Sequence, residues 1–185
     1  VLVDAGGRRY GADPGRRIVV PYLKRLGVRR LEYAVVTHAD LDHLGGMFAV
    51  VRSYRPERLV VDGRDDSRAL RRLVDTATDN GVDIRELFAT VERSFTPRGG
   101  MRLRRPSPPI SHHRNDNSLV SRVRFGPTSL LLPGDVERAG ENWLIRHADV
   151  RADVLKVPHH GSRTSSSGRF LEAVAPEVAI ISAGR

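Results

Sequence analysis

Four side chains able to bind a metal fall within six positions: His38, Asp40, Asp42 and His43, in Thr37-His38-Ala39-Asp40-Leu41-Asp42-His43-Leu44-Gly45-Gly46. Imidazole nitrogen and carboxylate oxygen are the ligand types of hydrolytic divalent metals. The stretch follows an apolar run and precedes helical spacing. A loop at the end of a strand can turn several of these groups onto one centre, with the N–H groups and positive dipole end of a helix beside them. The competing account, a charged helix start with Asp as cap and two incidental histidines, must place two His and two Asp in six positions by chance. Two further stretches repeat the pattern. Leu130-Leu131-Leu132-Pro133-Gly134-Asp135 delivers Asp135 at the end of an apolar run, an arrangement that alone is more often a turn than a ligand. Ala152-Asp153-Val154-Leu155-Lys156-Val157-Pro158-His159-His160-Gly161-Ser162 ends a buried run in paired histidines. Three strand ends carrying His or Asp predict one shared edge of a sheet, where α/β folds place their sites.

The elements that must position these groups alternate in type, which predicts an α/β architecture. Strands are expected at 1–4, 31–36, 58–61, 119–125, 129–132, 154–157 and 178–182, the last running out at Ala183-Gly184-Arg185. Helices are expected at 18–27, with Pro21 near the start, and at 44–54, 137–147 and 169–174. A surface helix over 67–80 has Ser67 as N-cap, Leu70, Leu73, Val74 and Ala77 on one face, and Asn80-Gly81 as its stop. Residues 84–91 read equally as helix or strand. In 99–110, Met101 and Leu103 alternate with Arg102 and Arg104, which allows a half-buried strand before a turn at Pro106-Ser107-Pro108-Pro109. Residues 111–117 are polar and read as a loop.

The chain has 185 residues, 39% of them hydrophobic and 29% charged, a globular composition with room for one core. Cysteine is absent, which excludes disulfides, thiolate metal sites and a cysteine nucleophile. No apolar run reaches the roughly 18 residues that span a bilayer, and no signal-peptide pattern opens the chain, so a soluble piece of chain is expected. The net charge is +9, and the excess is almost all arginine, since Lys24 and Lys156 are the only lysines. Arginine offers a planar fork to phosphate oxygens, although an arginine-rich surface also arises from a GC-rich genome. Aromatic residues are only 5%, so no platform for stacking bases is expected.

These motifs resemble the metallo-β-lactamase fold family of metallohydrolases, and within it the hydrolase domain of ComEC-type competence proteins. The family pattern His-x-His-x-Asp-His stands here as His38-x-Asp40-x-Asp42-His43, with Asp in the second His position. That replacement, Asn115-Asp116-Asn117-Ser118-Leu119-Val120, Leu132-Pro133-Gly134-Asp135 and Val157-Pro158-His159-His160-Gly161-Ser162 carry the resemblance. It implies an αββα sandwich of two mixed β-sheets flanked by helices, spanning 1–185 as a single domain trimmed at both ends. It implies two divalent ions, His38 and Asp40 on one, Asp42 and His43 on the other, Asp135 bridging, and His159 and His160 as ligand or proton donor. Asp4 would brace the metal loop from behind, with Asn117, Ser118 and Ser162 in supporting positions. Where the family generally has a further metal-binding His, Asn115, Asp116 and Asn117 stand instead, with His112 and His113 nearby in a polar loop.

The function so implied is a nuclease degrading a DNA strand during natural transformation, in a domain on the extracytoplasmic face attached to a membrane channel of the same parent protein. Asp42 and Asp135 would position the nucleophile, and His159 or His160 would help the leaving oxygen. Oxygen-rich ligation favours Mn²⁺ over Zn²⁺. DNA would be bound without sequence preference, with Arg102, Arg104, Arg105, Arg114 and Arg163 as candidate phosphate contacts. Two other readings remain at this point: a lactonase or phosphodiesterase acting on small molecules, and a module that grips DNA without cutting it.

Overall fold

The computed structural model describes residues 1–7, 13–88, 91–96, 99–106, 109–110 and 112–183. Ser107 and Pro108 of the expected turn, Ser111 of the expected loop, and Gly184 and Arg185 after the last strand lie outside the described residues. The chain forms two compact units, 1–87 and 88–185.

The first unit is built from strand–helix repeats. β1 (Leu2–Val3), β2 (Tyr33–Val35), β3 (Arg58–Asp62) and β4 (Asp83–Leu87) pair in that order, and every pairing is parallel. Parallel neighbours need a crossover, which is supplied by α1 (Val20–Arg25) after β1, by α2 (Leu41–Leu44) and α3 (Met47–Tyr54) after β2, and by α4 (Arg68–Asp79) after β3. A wide turn over Gly15–Val19 leads into α1, so the helical path starts before the expected Ile18. α4 follows the pattern of its sequence: the Ser67 hydroxyl accepts from Leu70 N–H at 3.3 Å, and Leu70, Leu73 and Ala77 are buried. They pack with Ala34, Val36, Leu44, Val50, Leu59 and Val61 in one core. Burying each such Leu or Val contributes about 1.5–3 kcal/mol. The expected helix at 44–54 instead begins at Leu41 and is interrupted at Gly45-Gly46, which divides it into α2 and α3.

The second unit holds a six-stranded sheet. β5 (Val91–Thr96), β6 (Gly99–Arg104), β7 (Val120–Phe125) and β8 (Thr128–Leu132) form an antiparallel meander. β9 (Val154–Lys156) and β10 (Val178–Ile180) add in parallel after the crossover helices α5 (Arg138–His147) and α6 (Gly168–Val174). Val120, Leu131, Leu144, Leu155, Phe170 and Val174 form its core. The expectation of two mixed sheets describes this one; the four described strands of the first sheet are all parallel. Of the ambiguous stretch at 84–91, residues 84–87 belong to β4 and Val91 opens β5, while Ala89 and Thr90 lie outside the described residues.

One sequence expectation needs correction. β8 and β9 are parallel neighbours and share a sheet edge, but β2 lies in the other sheet, so the three ligand-bearing strand ends are not on a single edge.

Candidate functional site

In the first unit the site begins where β2 ends. The Asp4 carboxylate, just past β1, accepts from the Thr37 backbone N–H on Oδ1 at 2.8 Å and from the Thr37 hydroxyl on Oδ2 at 2.7 Å. Oδ2 also lies 2.7 Å from Nδ1 of His43. A carboxylate only accepts, so Nδ1 of His43 carries the proton and Nε2 keeps its lone pair. The same reasoning reaches His38. Its Nδ1 is 3.0 Å from the Thr37 hydroxyl, whose single proton is directed to Asp4, so His38 donates from Nδ1 and its lone pair also sits on Nε2. One carboxylate thereby sets both tautomers.

The two imidazoles meet at a tilt of 50° with centroids 4.1 Å apart and are 5% and 2% exposed. Asp40 extends to within 3.7 Å of His38 Nε2. Asp42 is exposed, and its ligand atom lies within 4.8 Å of that of His43. Asp4 holds this position at φ 54°, a left-handed conformation costly for a side chain with a Cβ. Such strain persists only where surrounding bonds over-determine it, as at functional sites.

In the second unit the site lies past the ends of β8 and β9. Asp135 is buried, with Oδ2 3.4 Å from His160 Nε2 and Oδ1 3.4 Å from Lys156 Nζ. Its backbone N–H donates to the Ser118 hydroxyl at 3.3 Å. His160 Nδ1 lies 2.6 Å from the Ser182 carbonyl, a pure acceptor, so its lone pair is again on Nε2, the nitrogen beside Asp135. His159 turns elsewhere: Nδ1 is 3.1 Å from Glu137 Oε1 and 3.3 Å from the Thr164 hydroxyl, which is 3.0 Å from that of Ser162. Both histidines have positive φ, 46° and 53°, so this strand end is strained as Asp4 is.

The arginines take different places. Arg104 donates to the His147 carbonyl at 2.9 Å, satisfying a carbonyl at the C-terminus of α5. Arg105 is only 2% exposed, within the unit rather than on its surface. Arg102 is half-buried and, with Arg104 and Arg122, lines a cleft beside the end of α5. Arg114 and Arg163 are exposed. Asn117 braces its own loop, accepting from Ile110 N–H at 2.9 Å and donating to the His113 carbonyl at 3.0 Å. Part of the expected loop is structured: 115–117 form a helical turn and Asp116 is buried, accepting from Glu137 and Gly140 N–H at 3.0 and 2.8 Å.

Four residues with evident roles were not singled out by the sequence: Thr37, Lys156, Glu137 and Glu141. Glu141 is fully buried, and its carboxylate accepts from the backbone N–H groups of Ser166 and Ser167, tying α5 to the loop after the paired histidines. Lys156 had a signal, as one of two lysines in a chain otherwise charged by arginine.

The donor set suits a divalent cation. Three imidazoles present Nε2 lone pairs because their Nδ1 atoms are engaged by a carboxylate, a hydroxyl and a carbonyl, the outer-shell arrangement that metal-ligating histidines require. Carboxylates stand beside each, within its own unit.

The Metallo-beta-lactamase superfamily model matches residues 1–185. Over its whole length the chain is 31% identical to ComE operon protein 3 of Bacillus subtilis (strain 168), covering 25% of that protein. It is 33% identical to Recombination protein 2 of Haemophilus influenzae, covering 22% of it, and 35% identical to Competence protein ComA of Neisseria gonorrhoeae, covering 25%. The chain thus spans about a quarter of the length of these curated relatives. Among solved structures, CmlA, a diiron β-hydroxylase from Streptomyces venezuelae, superposes with a TM-score of 0.56 at 16% identity, over 82% of this chain and 35% of that one, a likeness of fold alone.

Proposed function

The chain belongs to the metallo-β-lactamase superfamily, and on that premise we propose that it is the metal-dependent nuclease domain of a competence-type protein, cleaving phosphodiester bonds in a DNA strand taken up during transformation. One observation carries the reading: Asp4 orients His43 directly and His38 through Thr37, so that both imidazoles present Nε2 in the same short loop as the carboxylates of Asp40 and Asp42. Such an oxygen-rich set is suited to Mn²⁺ more than to Zn²⁺. The net charge of +9 concentrates a polyanion, and the names of the relatives supply the competence context.

In this reading His38, Asp40, Asp42 and His43 of the first unit, and Asp135 of the second, would serve as cation ligands. When bound, divalent cations supply Lewis-acid stabilisation for the anionic charge that develops at phosphorus. The chain's own residues do the rest. His160 acts as a ligand, because its lone pair faces the side of Asp135. His159 would act as the proton donor to the leaving oxygen as the imidazolium, giving up its Nε2 proton while its Nδ1–H stays on the Glu137 carboxylate. Exposed Arg114 and Arg163 contact phosphates. In the parent protein the domain is joined to a membrane channel, on its extracytoplasmic face.

The test incubates the protein with linear single- and double-stranded DNA and Mn²⁺, beside an Asp42→Ala/His43→Ala variant. Cutting that disappears in the variant supports the nuclease. DNA retention without cutting identifies a binding module, and neither result points to a small-molecule hydrolase. Full restoration of stripped protein by zinc, with none by manganese, overturns the manganese assignment.

A further inference from the structure

The helical path from Gly15 to Leu26 is apolar on both sides. Val20 is buried, and Val19 and Leu23 pack with it against the core of the first unit. On the opposite side Ile18, Tyr22 and Leu26, four residues apart and so aligned along one helix face, are 65%, 52% and 58% exposed. A helix on a protein surface ordinarily turns polar residues outward. An outward apolar row marks a surface that meets something else.

The flanking charge identifies the partner. Between Pro14 and Leu31 stand Arg16, Arg17, Lys24, Arg25, Arg29 and Arg30, with no acidic residue among them. All six are exposed. Arg30 engages Glu57, and the Arg25 guanidinium lies 5.6 Å from the centre of the Tyr22 ring, covering its face. An apolar row edged by cations matches an anionic bilayer interface, where apolar side chains enter the headgroup–acyl boundary and cations meet phosphate headgroups. A nucleic acid would use the cations but leave Ile18 and Leu26 in water. We propose that the outer face of this segment is a membrane-surface contact, seating the first unit on a bilayer rich in anionic phospholipid.

The experiment is vesicle flotation of the whole chain with phosphatidylcholine alone and with phosphatidylcholine mixed with phosphatidylglycerol. The protein is expected to float with the mixed vesicles only and to be released by salt. The variant Ile18→Ser/Tyr22→Ser/Leu26→Ser is expected to lower partitioning by more than about tenfold, and Arg16→Glu/Arg17→Glu to do the same. Because the single tryptophan is Trp143, Tyr22→Trp in a Trp143→Phe background reports on this face alone, and its emission is expected to shift to the blue on the mixed vesicles. If the serine variant fails to fold, that emission and the arginine pair decide. Undiminished flotation of a folded serine variant, or an emission that does not move, overturns the proposal. So does binding of linear duplex DNA that the serine variant loses while vesicles leave the parent chain in solution.

Discussion

Asp4 accepts from Nδ1 of His43 at 2.7 Å across 39 residues of chain. Because it also accepts twice from Thr37, which in turn takes the Nδ1 proton of His38, a single carboxylate past β1 arranges both histidines past β2. Asp4→Asn keeps the shape but introduces an amide that cannot accept on both ends. The expected outcome is a fold that persists by circular dichroism and an affinity for Mn²⁺ lowered about 10–100-fold, the usual effect of losing an outer-shell partner. Calorimetric titration with Mn²⁺ checks it, and unchanged affinity counts against Asp4 as the orienting group.

The loop carrying Asp4 is held against α2 and α3 by the absence of side chains. Gly46 N–H donates to the Gly6 carbonyl at 2.7 Å, and a Cβ on Gly46 would stand 2.1 Å from the Ala5 carbonyl oxygen and 2.8 Å from Gly15 N. Both neighbours are backbone, so neither yields cheaply. Gly46→Ala is expected to cost about 3 kcal/mol or more in urea unfolding. Gly81→Ala makes the control: its φ of +74° disfavours Ala, but a Cβ there meets nothing within 4 Å, and a cost of about 1–2 kcal/mol is expected. Equal losses at the two positions would remove close approach as the reason for Gly46.

How far the sequence foretold this follows from how local each signal was. The 37–46 stretch was legible because its donors sit within one turn of loop and helix, and α4 because cap, apolar face and stop lie in 15 consecutive residues. Asp135 and the paired histidines were legible as polar groups abruptly ending apolar runs. Glu137 and Glu141 were not, because the atoms they hold are 22 and 25 residues away and no periodicity links such positions. Glu141 lies on a helix that was expected, but its burial was not, because two backbone N–H groups from a distant loop replace water around its carboxylate. β4 was ambiguous because an edge strand with mostly exposed residues carries little alternation.

Asp153 ties the starts of β8 and β9 together. The Ser129 N–H, at 2.5 Å, and the Ser129 hydroxyl, at 2.8 Å, both donate to Oδ2 and hold its pKa below the ordinary 3.8. A carboxyl lowered on folding stabilises the protein above its unfolded pKa, and the contribution fades as pH falls through the folded value. Asp153→Asn cannot titrate. Melting temperatures of protein and variant are therefore expected to differ by a constant amount near neutral pH and to converge as the pH drops below 3.8. A gap that widens on acidification contradicts the assignment.

The adjacent histidines 159 and 160 differ in what holds them, and that predicts different failures. Nε2 of His160 lies 3.4 Å from Asp135 Oδ2, and its Nδ1 is bound to the Ser182 carbonyl, so His160→Ala removes a proposed cation ligand and is expected to lower Mn²⁺ affinity. Glu137 instead holds His159 from behind, and Asn115 Nδ2 donates to the same oxygen at 3.3 Å. Glu137→Gln keeps an acceptor for Asn115 but weakens the hold on the imidazole. It is expected to lower kcat on DNA about 10–100-fold while KM and Mn²⁺ affinity stay within about twofold of the parent, because Glu137 touches neither substrate nor cation in this arrangement. Loss of Mn²⁺ binding in Glu137→Gln would instead make His159 a ligand and reverse the division of labour between the two imidazoles.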